Sequence, residues 1–333
     1  MLSRVADSIY WLSRYVERAE NVARFIDVNL HLMLDLPSDT EQQWEPLINI
    51  TGDREIFEDH FDDYSRENVI QFLTFDPDYP NSILGCVHRA REIARSARDV
   101  ISSETWVQLN RFYLMVRNAA YSDFALMTSP HEFFTQVKIA GHTFEGIMDS
   151  TMSHGEAWHF GQIGRSLERA DKTTRIIDMK YFILLPDVTY FGSPYDNIQW
   201  AALLRSASAL EMYRKRFGRI VPNDVVEFLI LDPEFPRSVR FCVHQAEDSL
   251  QAIAGSSPGS QPGPAQRHMG RLRAQLDFAT IDEVLAAGVH EVIDGIQVEL
   301  NAAGDEIYRA IYGLTSPSSN GQSQMQTQTQ TAY

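Results

Sequence analysis

The chain has 333 residues, a formal net charge of −16, 44% hydrophobic residues and two cysteines. This composition excludes wholesale disorder, a disulfide framework and general binding to nucleic acids or anionic membranes, which reward Lys and Arg. No apolar run approaches the roughly 20 residues that a membrane helix needs, and charges interrupt the N-terminal segment. We therefore expect no signal peptide and a cytoplasmic location.

Long stretches without proline dominate the chain and predict an all-α fold. They cover residues 1–36, 81–129, 131–185, 195–221 and 265–316. An interior proline would cost a helix about 3 kcal/mol, so such stretches favour helices. Strict apolar–polar alternation is nearly absent, although two short apolar runs, Val69–Phe75 and Val225–Leu231, are ambiguous between helix and strand.

The first predicted helix runs from about Val5 to Leu34. Its apolar residues recur at steps of three and four from Leu12 to Met33, which places them in one stripe along the helix. The helix is predicted to end before Pro37. At about 1.5 Å per residue it would be roughly 45 Å long, so we expect it to form the spine of the fold.

Two blocks of sequence occur twice in the same order and predict a tandem duplication. The segment VIQFLTFDPDYPNSILGCVHRARE at 69–92 matches VVEFLILDPEFPRSVRFCVHQAED at 225–248 at eleven positions. Upstream, RYVERAE at 14–20 matches RSLERAD at 165–171. The chain is therefore predicted to be one helical bundle made of two repeats related by a pseudo-twofold axis.

The predicted boundaries follow from these repeats and from composition. They give a first helical repeat at 1–150, a second at 151–315 and a polar, disordered tail at 316–333. Pro80 and Pro236 are predicted to lie in the first turn of the helix that follows each repeated Asp-Pro-x-x-Pro turn. The segment Gly255–Gln266, rich in Gly, Pro and Ser, is predicted to be a flexible loop.

The repeated blocks hold the candidate binding residues. They are Arg14, Glu17, Arg18, Glu20 and Arg24 in the first copy, and Arg165, Glu168, Arg169, Asp171 and Arg175 in the second. On a single helix such charges usually form a solvated face with ion pairs at i,i+4. Four positions are identical between the copies, which favours either a buried network of paired charges or a site where arginines grip a carboxylate or phosphate.

Metal chemistry has little support in the sequence. Cys86-Val-His88 and Cys242-Val-His244 offer metal-binding side chains, but residues two apart on a helix point about 200° apart. A single Glu-x-x-His occurs, at Glu156, whereas helical di-metal sites need two. We therefore expect buried structural cysteines, no metal and no cofactor.

Three segments carry a family resemblance: WLSRYVERAENVARFID, GEAWHFGQIGRSLERADKTTRIID and the closing EIYRAIYGL. They resemble the Alpha-E domain, and the resemblance covers about residues 1–314. That family is helical, typically occurs as a tandem duplication and is named for a Glu-Arg pair, which falls here on Glu17-Arg18 and Glu168-Arg169. The resemblance implies a role in bacterial peptide synthesis or modification. Its implied companions are circularly permuted ATP-grasp ligase-type proteins, a transglutaminase-like protein and an NTN-type peptidase.

We expect a non-catalytic accessory subunit that binds the ligase, or its peptide substrate, through the charged faces of the two repeated helices. One alternative is an enzyme of the same pathway, with Glu17 or Glu168 as general base and arginines holding an anionic substrate. The other is a purely structural scaffold in which the two blocks meet. An open pocket of several hundred Å3 would favour the enzyme, whereas sealed mutual pairing would favour a structural network.

Overall fold

The computed structural model describes residues 3–35, 44–121, 130–184, 194–254 and 262–312. Within these ranges the chain forms fifteen α-helices and no strand, which confirms the predicted all-α fold. None of the described helices is both long and apolar enough to cross a membrane. The tail at 316–333 lies outside the described residues, and the duplication and its boundary near residue 150 stay predictions.

The helices differ widely in length, and the two longest, α1 and α8, lie at the centre. In chain order they are α1 (Ser3–Asp35), α2 (Glu45–Thr51), α3 (Arg54–His60), α4 (Arg66–Phe75), α5 (Ile83–Ser96), α6 (Ser103–Tyr121), α7 (Pro130–Thr151), α8 (Glu156–Leu184), α9 (Pro194–Ser206), α10 (Leu210–Phe217), α11 (Pro222–Leu231), α12 (Val239–Ala254), α13 (Pro264–Phe278), α14 (Ile281–Ala287) and α15 (Val289–Tyr312). Both ambiguous apolar runs are helical, as parts of α4 and α11.

Helix α1 is surrounded by other helices. It packs along α8 and is also covered by α5, α7 and α9, while α12 and α15 cover α8. Leu12, Ala19 and Ile26 of the predicted apolar stripe are fully buried. The opposite, charged side of α1 is buried as well, because it faces α8 and its neighbours rather than solvent.

Glycines allow α1 and α8 to approach closely. A Cβ atom on Gly164 of α8 would overlap the backbone carbonyl of Tyr10 on α1. One turn earlier, a Cβ atom on Gly161 would lie 3.0 Å from the Ser13 hydroxyl. The crossing of the two long helices therefore depends on the absence of side chains at these positions.

Gly164→Ala is expected to destabilise the protein by about 1–3 kcal/mol, because the added methyl group must push α8 away from the backbone of α1. Thermal denaturation followed by circular dichroism measures this. The matched control is Gly146→Ala on α7, where a Cβ atom meets nothing within 4 Å and alanine favours the helix. Equal melting temperatures for the two variants would contradict the close packing.

The two Asp-Pro-x-x-Pro turns are closed in the same way. Asp76 Oδ1 accepts the backbone N–H groups of Asp78 and Tyr79 at 2.9 and 3.2 Å. Asp232 Oδ1 accepts those of the two corresponding residues at 2.8 and 2.7 Å. Each aspartate therefore holds the turn that leads into α5 or α12.

The predicted positions of Pro80 and Pro236 were wrong, since both lie before the following helix. The helices begin later because a serine caps each one: the Ser82 hydroxyl accepts the Gly85 N–H at 3.0 Å, and Ser238 acts likewise before α12. The predicted loop Gly255–Gln266 was too long at its end, since α13 begins at Pro264, and its residues 255–261 lie outside the described chain.

Candidate functional site

Glu168 on α8 is bound by arginines of α1. The Nε and Nη2 groups of Arg18 donate to its two carboxylate oxygens at 2.7 and 2.9 Å, and Nε of Arg14 donates to Oε2 at 2.8 Å. The Lys172 ammonium lies 3.5 Å from Oε1. The Glu168 side chain has 0% exposure, so its buried charge depends on these protein cations rather than on solvent.

Glu17 on α1 is bound in the reciprocal way by Arg169 of α8. The Nε and Nη2 groups of Arg169 donate to Oε1 and Oε2 at 3.0 and 2.7 Å. Arg237, in the turn before α12, donates to Oε1 at 2.9 Å, and the Asn21 amide donates to the same oxygen at 2.8 Å. Glu17 is 3% exposed, so this second Glu-Arg pair is also sealed.

The arginine of each Glu-Arg motif therefore binds the glutamate of the other motif. Both pairs are two-pronged, a geometry that fixes the orientation as well as the distance of the partners. Each pair joins α1 to α8, so the motif forms two crossed clamps between the long helices. This is the arrangement that the purely structural alternative describes.

Further charges surround the two clamps and complete what we call the Arg–Glu cluster. Glu20 pairs with Arg24 at 2.7 Å, and Asp171 with Arg175 at 3.0 Å, as their i,i+4 spacing predicted. The Asp, Glu, Lys and Arg members of the cluster are Arg14, Glu17, Arg18, Glu20, Arg24, Glu145, Arg165, Glu168, Arg169, Asp171, Lys172, Arg175 and Arg237. His142 of α7 also contacts Glu20 and Arg24. Most of the cluster members are buried, so these residues do not form the solvated face that charges on a single helix usually form.

Three cluster members lie outside the ten candidate binding residues. Lys172 belongs to the second repeated helix, whereas Glu145 and Arg237 were missed by the sequence interpretation. Glu145 on α7 binds Arg165 and Arg169, and Arg237 binds both Glu17 and Glu20. Neither lies in the repeated Arg/Glu blocks. Arg237 was hidden because the matching position of the first repeat is an asparagine, although its place directly after a repeated Asp-Pro-x-x-Pro turn was a usable signal.

The missing cation of the first turn is supplied elsewhere. Asn81, which matches Arg237, accepts a hydrogen bond from Arg18 at 2.6 Å. Lys172, which matches Asn21, brings a positive charge to Glu168 from its own helix. Each buried glutamate thus has an additional cation. Glu17 has Arg237 from the turn before α12, and Glu168 has Lys172 from its own helix.

The cluster keeps both glutamates ionised. Burial alone would raise the pKa of Glu17, but the charges of Arg169 and Arg237 outweigh it and lower that pKa to about 2. Burial would also raise the pKa of Glu168, but the charges of Arg18 and Arg14 outweigh it and hold that pKa well below the usual range. A general base for neutral conditions needs a pKa near the working pH, so these carboxylates are poorly suited to proton abstraction.

The space beside the cluster is small. A cleft next to Glu17 and Glu20, bordered by Ser13, Gln162 and Arg165, has a volume of about 20 Å3. That is room for about one water molecule rather than for a substrate. The open pocket that the enzyme alternative requires is therefore absent from this part of the cluster.

The cysteines are isolated from their neighbouring histidines. Cys86 and Cys242 are buried, and their thiols point at the carbonyls of Pro80 and Pro236. Burial raises the pKa of both thiols to about 12, which keeps them neutral and unreactive. His88 is exposed, so it lies on the opposite side of α5 from Cys86.

Three curated relatives share sequence with nearly the whole chain. They are uncharacterized proteins of Mycobacterium bovis and of two strains of Mycobacterium tuberculosis, each 26% identical over 329 residues. The match covers 91% of this chain but 36% of each relative, so the chain spans about a third of their length. No solved structure matches the chain.

A family model matches residues 1–311, and its description is a predicted alpha-helical domain with a conserved ER motif. The match includes both Glu-Arg pairs and almost all of the described helices. The chain therefore belongs to the Alpha-E family.

Proposed function

We propose that the chain is a non-catalytic accessory subunit of a bacterial peptide synthesis or modification system. Its partner would be a circularly permuted ATP-grasp ligase-type protein, which acts together with a transglutaminase-like protein. The observation that carries the proposal is that Glu17 and Glu168 are both buried and bound by arginines. Neither carboxylate is free to act as a base, so a binding role is favoured over catalysis by this motif.

The lengths of the relatives support a role beside a partner. In each mycobacterial relative the matching region makes up 36% of the chain, and the rest of that chain is further sequence. Covalent linkage holds two parts at high effective concentration, which benefits parts that act together. We therefore expect this chain to act together with a partner protein.

The partner surface must lie outside the Arg–Glu cluster, because the charged faces of α1 and α8 are buried against each other. The cluster takes up eight of the 29 Lys and Arg residues of the chain but five of the 45 Asp and Glu residues. The rest of the molecule is correspondingly more acidic. Such a surface complements a partner with a basic face.

The direct test mixes the purified full chain with the purified circularly permuted ATP-grasp protein of the same organism, and follows binding by calorimetry. We expect a stoichiometric complex that weakens as salt is added, because screening reduces attraction between exposed charges. Lysozyme, a basic protein of unrelated function, serves as the control for non-specific attraction. Absence of a complex at micromolar concentrations, or equal binding to lysozyme, would overturn the proposal.

A further inference from the structure

A second group of titratable side chains lies near Asp27, ten residues after Glu17 on α1. At a rise of about 1.5 Å per residue, this is about 15 Å further along the helix. Asp27 is buried on α1, and His31 follows one turn later on the same helix. His131, the second residue of α7, lies opposite them. One carboxylate oxygen and one nitrogen of each imidazole lie within 4.8 Å of one another. We propose that these three residues bind a divalent transition-metal ion of the Zn2+ type.

The three side chains lie close enough together for their ligand atoms to converge on one ion. His131 Nδ1 is 2.5 Å from Asp27 Oδ1, and His31 Nδ1 is 3.7 Å from the same oxygen. The two imidazole rings are 4.3 Å apart between centroids and nearly perpendicular, at 84°. Ligand atoms about 2.1 Å from zinc lie about 3.4 Å from one another in a tetrahedral site. His131 Nδ1 is hydrogen bonded to Asp27 Oδ1, and His31 Nδ1 also lies 2.8 Å from the Asp27 backbone carbonyl oxygen. A bound ion would replace both contacts.

The carboxylate is already oriented for this role. Lys138 on α7 donates to Asp27 Oδ2 at 2.6 Å, which leaves Oδ1 facing the histidines. Outer hydrogen bonds of this kind commonly fix metal-binding carboxylates. The i,i+4 spacing of Asp27 and His31 puts two ligands on one face of a helix, as in other helical metal sites.

The ligand set selects the class of ion. Two imidazoles and one carboxylate suit Zn2+ or Fe2+ and leave coordination positions for water, whereas Mg2+ and Ca2+ prefer oxygen ligands. The His31 and His131 side chains are 44% and 52% exposed, so an ion can reach the site from solvent. This proposal departs from the sequence-based expectation of no metal, which did not consider Asp27, His31 and His131.

The second half of the chain provides a matched control. Asp178 occupies the position on α8 that matches Asp27, and His290 is the second residue of α15. His290 Nδ1 lies 2.6 Å from Asp178 Oδ1, which repeats the Asp27–His131 pair. Asp294 acts electrostatically on both members of this second pair. Among the described residues, however, three metal-binding side chains come within 4.8 Å of one another at Asp27, His31 and His131 and not at this second pair.

The test is calorimetric titration of the metal-stripped full chain with Zn2+. We expect one ion to bind per chain and the affinity to fall at least about tenfold in both His31→Gln and His131→Gln, since loss of even an outer contact can cost that much. His290→Gln should bind as the unmodified chain does. Because all three histidines are substantially exposed, circular dichroism should show that each variant stays folded.

Two results would overturn the proposal. The first is that the unmodified chain binds Zn2+ no more tightly than a variant carrying both His31→Gln and His131→Gln. The second is that His290→Gln loses as much affinity as His131→Gln, since binding would then come from exposed histidines in general. Neither result depends on whether the chain binds a ligase, so this test is independent of the proposed function.

Discussion

Glu168→Ala is expected to lower the free energy of unfolding by about 3–5 kcal/mol, the usual cost of removing one partner from a buried ion pair. The substitution leaves Arg14 and Arg18 facing each other without the carboxylate that both now bind. It also detaches α1 from α8 at one of the two crossed clamps. Denaturation with urea, followed by circular dichroism, measures the change.

A control and a rescue distinguish this loss from a general effect of removing acid. Asp305→Ala removes an exposed carboxylate from α15 and should change stability by no more than about 0.5 kcal/mol. Replacing the pair by apolar residues, as Glu168→Leu with Arg18→Met, should be more stable than Glu168→Ala, because one buried charge is no longer unpaired. Equal effects of Glu168→Ala and Asp305→Ala would contradict the clamp.

Arg237→Asn is expected to cost about 3 kcal/mol, because it removes a buried cation shared by Glu17 and Glu20. The loss should fall short of complete unfolding, since Arg169 and Arg24 still bind these carboxylates. The substitution also makes the second turn resemble the first, which has asparagine at the matching position. The free energy of unfolding again provides the measurement.

The arrangement in the other half of the chain predicts how this loss can be repaired. There, Lys172 brings the cation from the helix itself. Adding Asn21→Lys to Arg237→Asn should therefore recover part of the lost stability by placing a positive charge beside Glu17. If the double variant is no more stable than Arg237→Asn, a lysine on the helix does not replace the arginine of the turn. The differences between Asn81 and Arg237 and between Asn21 and Lys172 would then need another explanation.

The sequence predicted helices better than it predicted their surroundings. The apolar period placed α1 within two residues of its observed ends, Ser3 and Asp35. The same period could identify a charged side of α1, but it could not show that α8 covers that side, because periodicity carries no information about distant segments. Comparison of the repeats indicated that these charged residues have a specific role. It left open whether they are paired with one another or available to a ligand.

Residues supplied by distant elements were the ones that escaped prediction. Arg237 and Glu145 join the cluster only when α12 and α7 fold against α1. His131 reaches Asp27 from α7, more than 100 positions further along the chain. Such residues show no local spacing signal. Comparison of the two halves could have indicated Arg237, by its place after a repeated turn, and His131, by the matching Asp27–Asp178 and His131–His290 positions.

Carboxyl 13C NMR shows directly whether the two motif glutamates remain ionised as partners of arginines. The glutamates are labelled with 13C at Cδ, and the Glu17 signal is identified as the one missing from the Glu17→Gln variant. The chemical shift of this signal is then followed from pH 8 to pH 3.5. We predict that it stays at its ionised position throughout, since the pKa of Glu17 is lowered to about 2, while exposed glutamates titrate. A Glu17 titration midpoint at or above 4.5, the ordinary value, would contradict the sealed clamp and would favour a carboxylate available for chemistry.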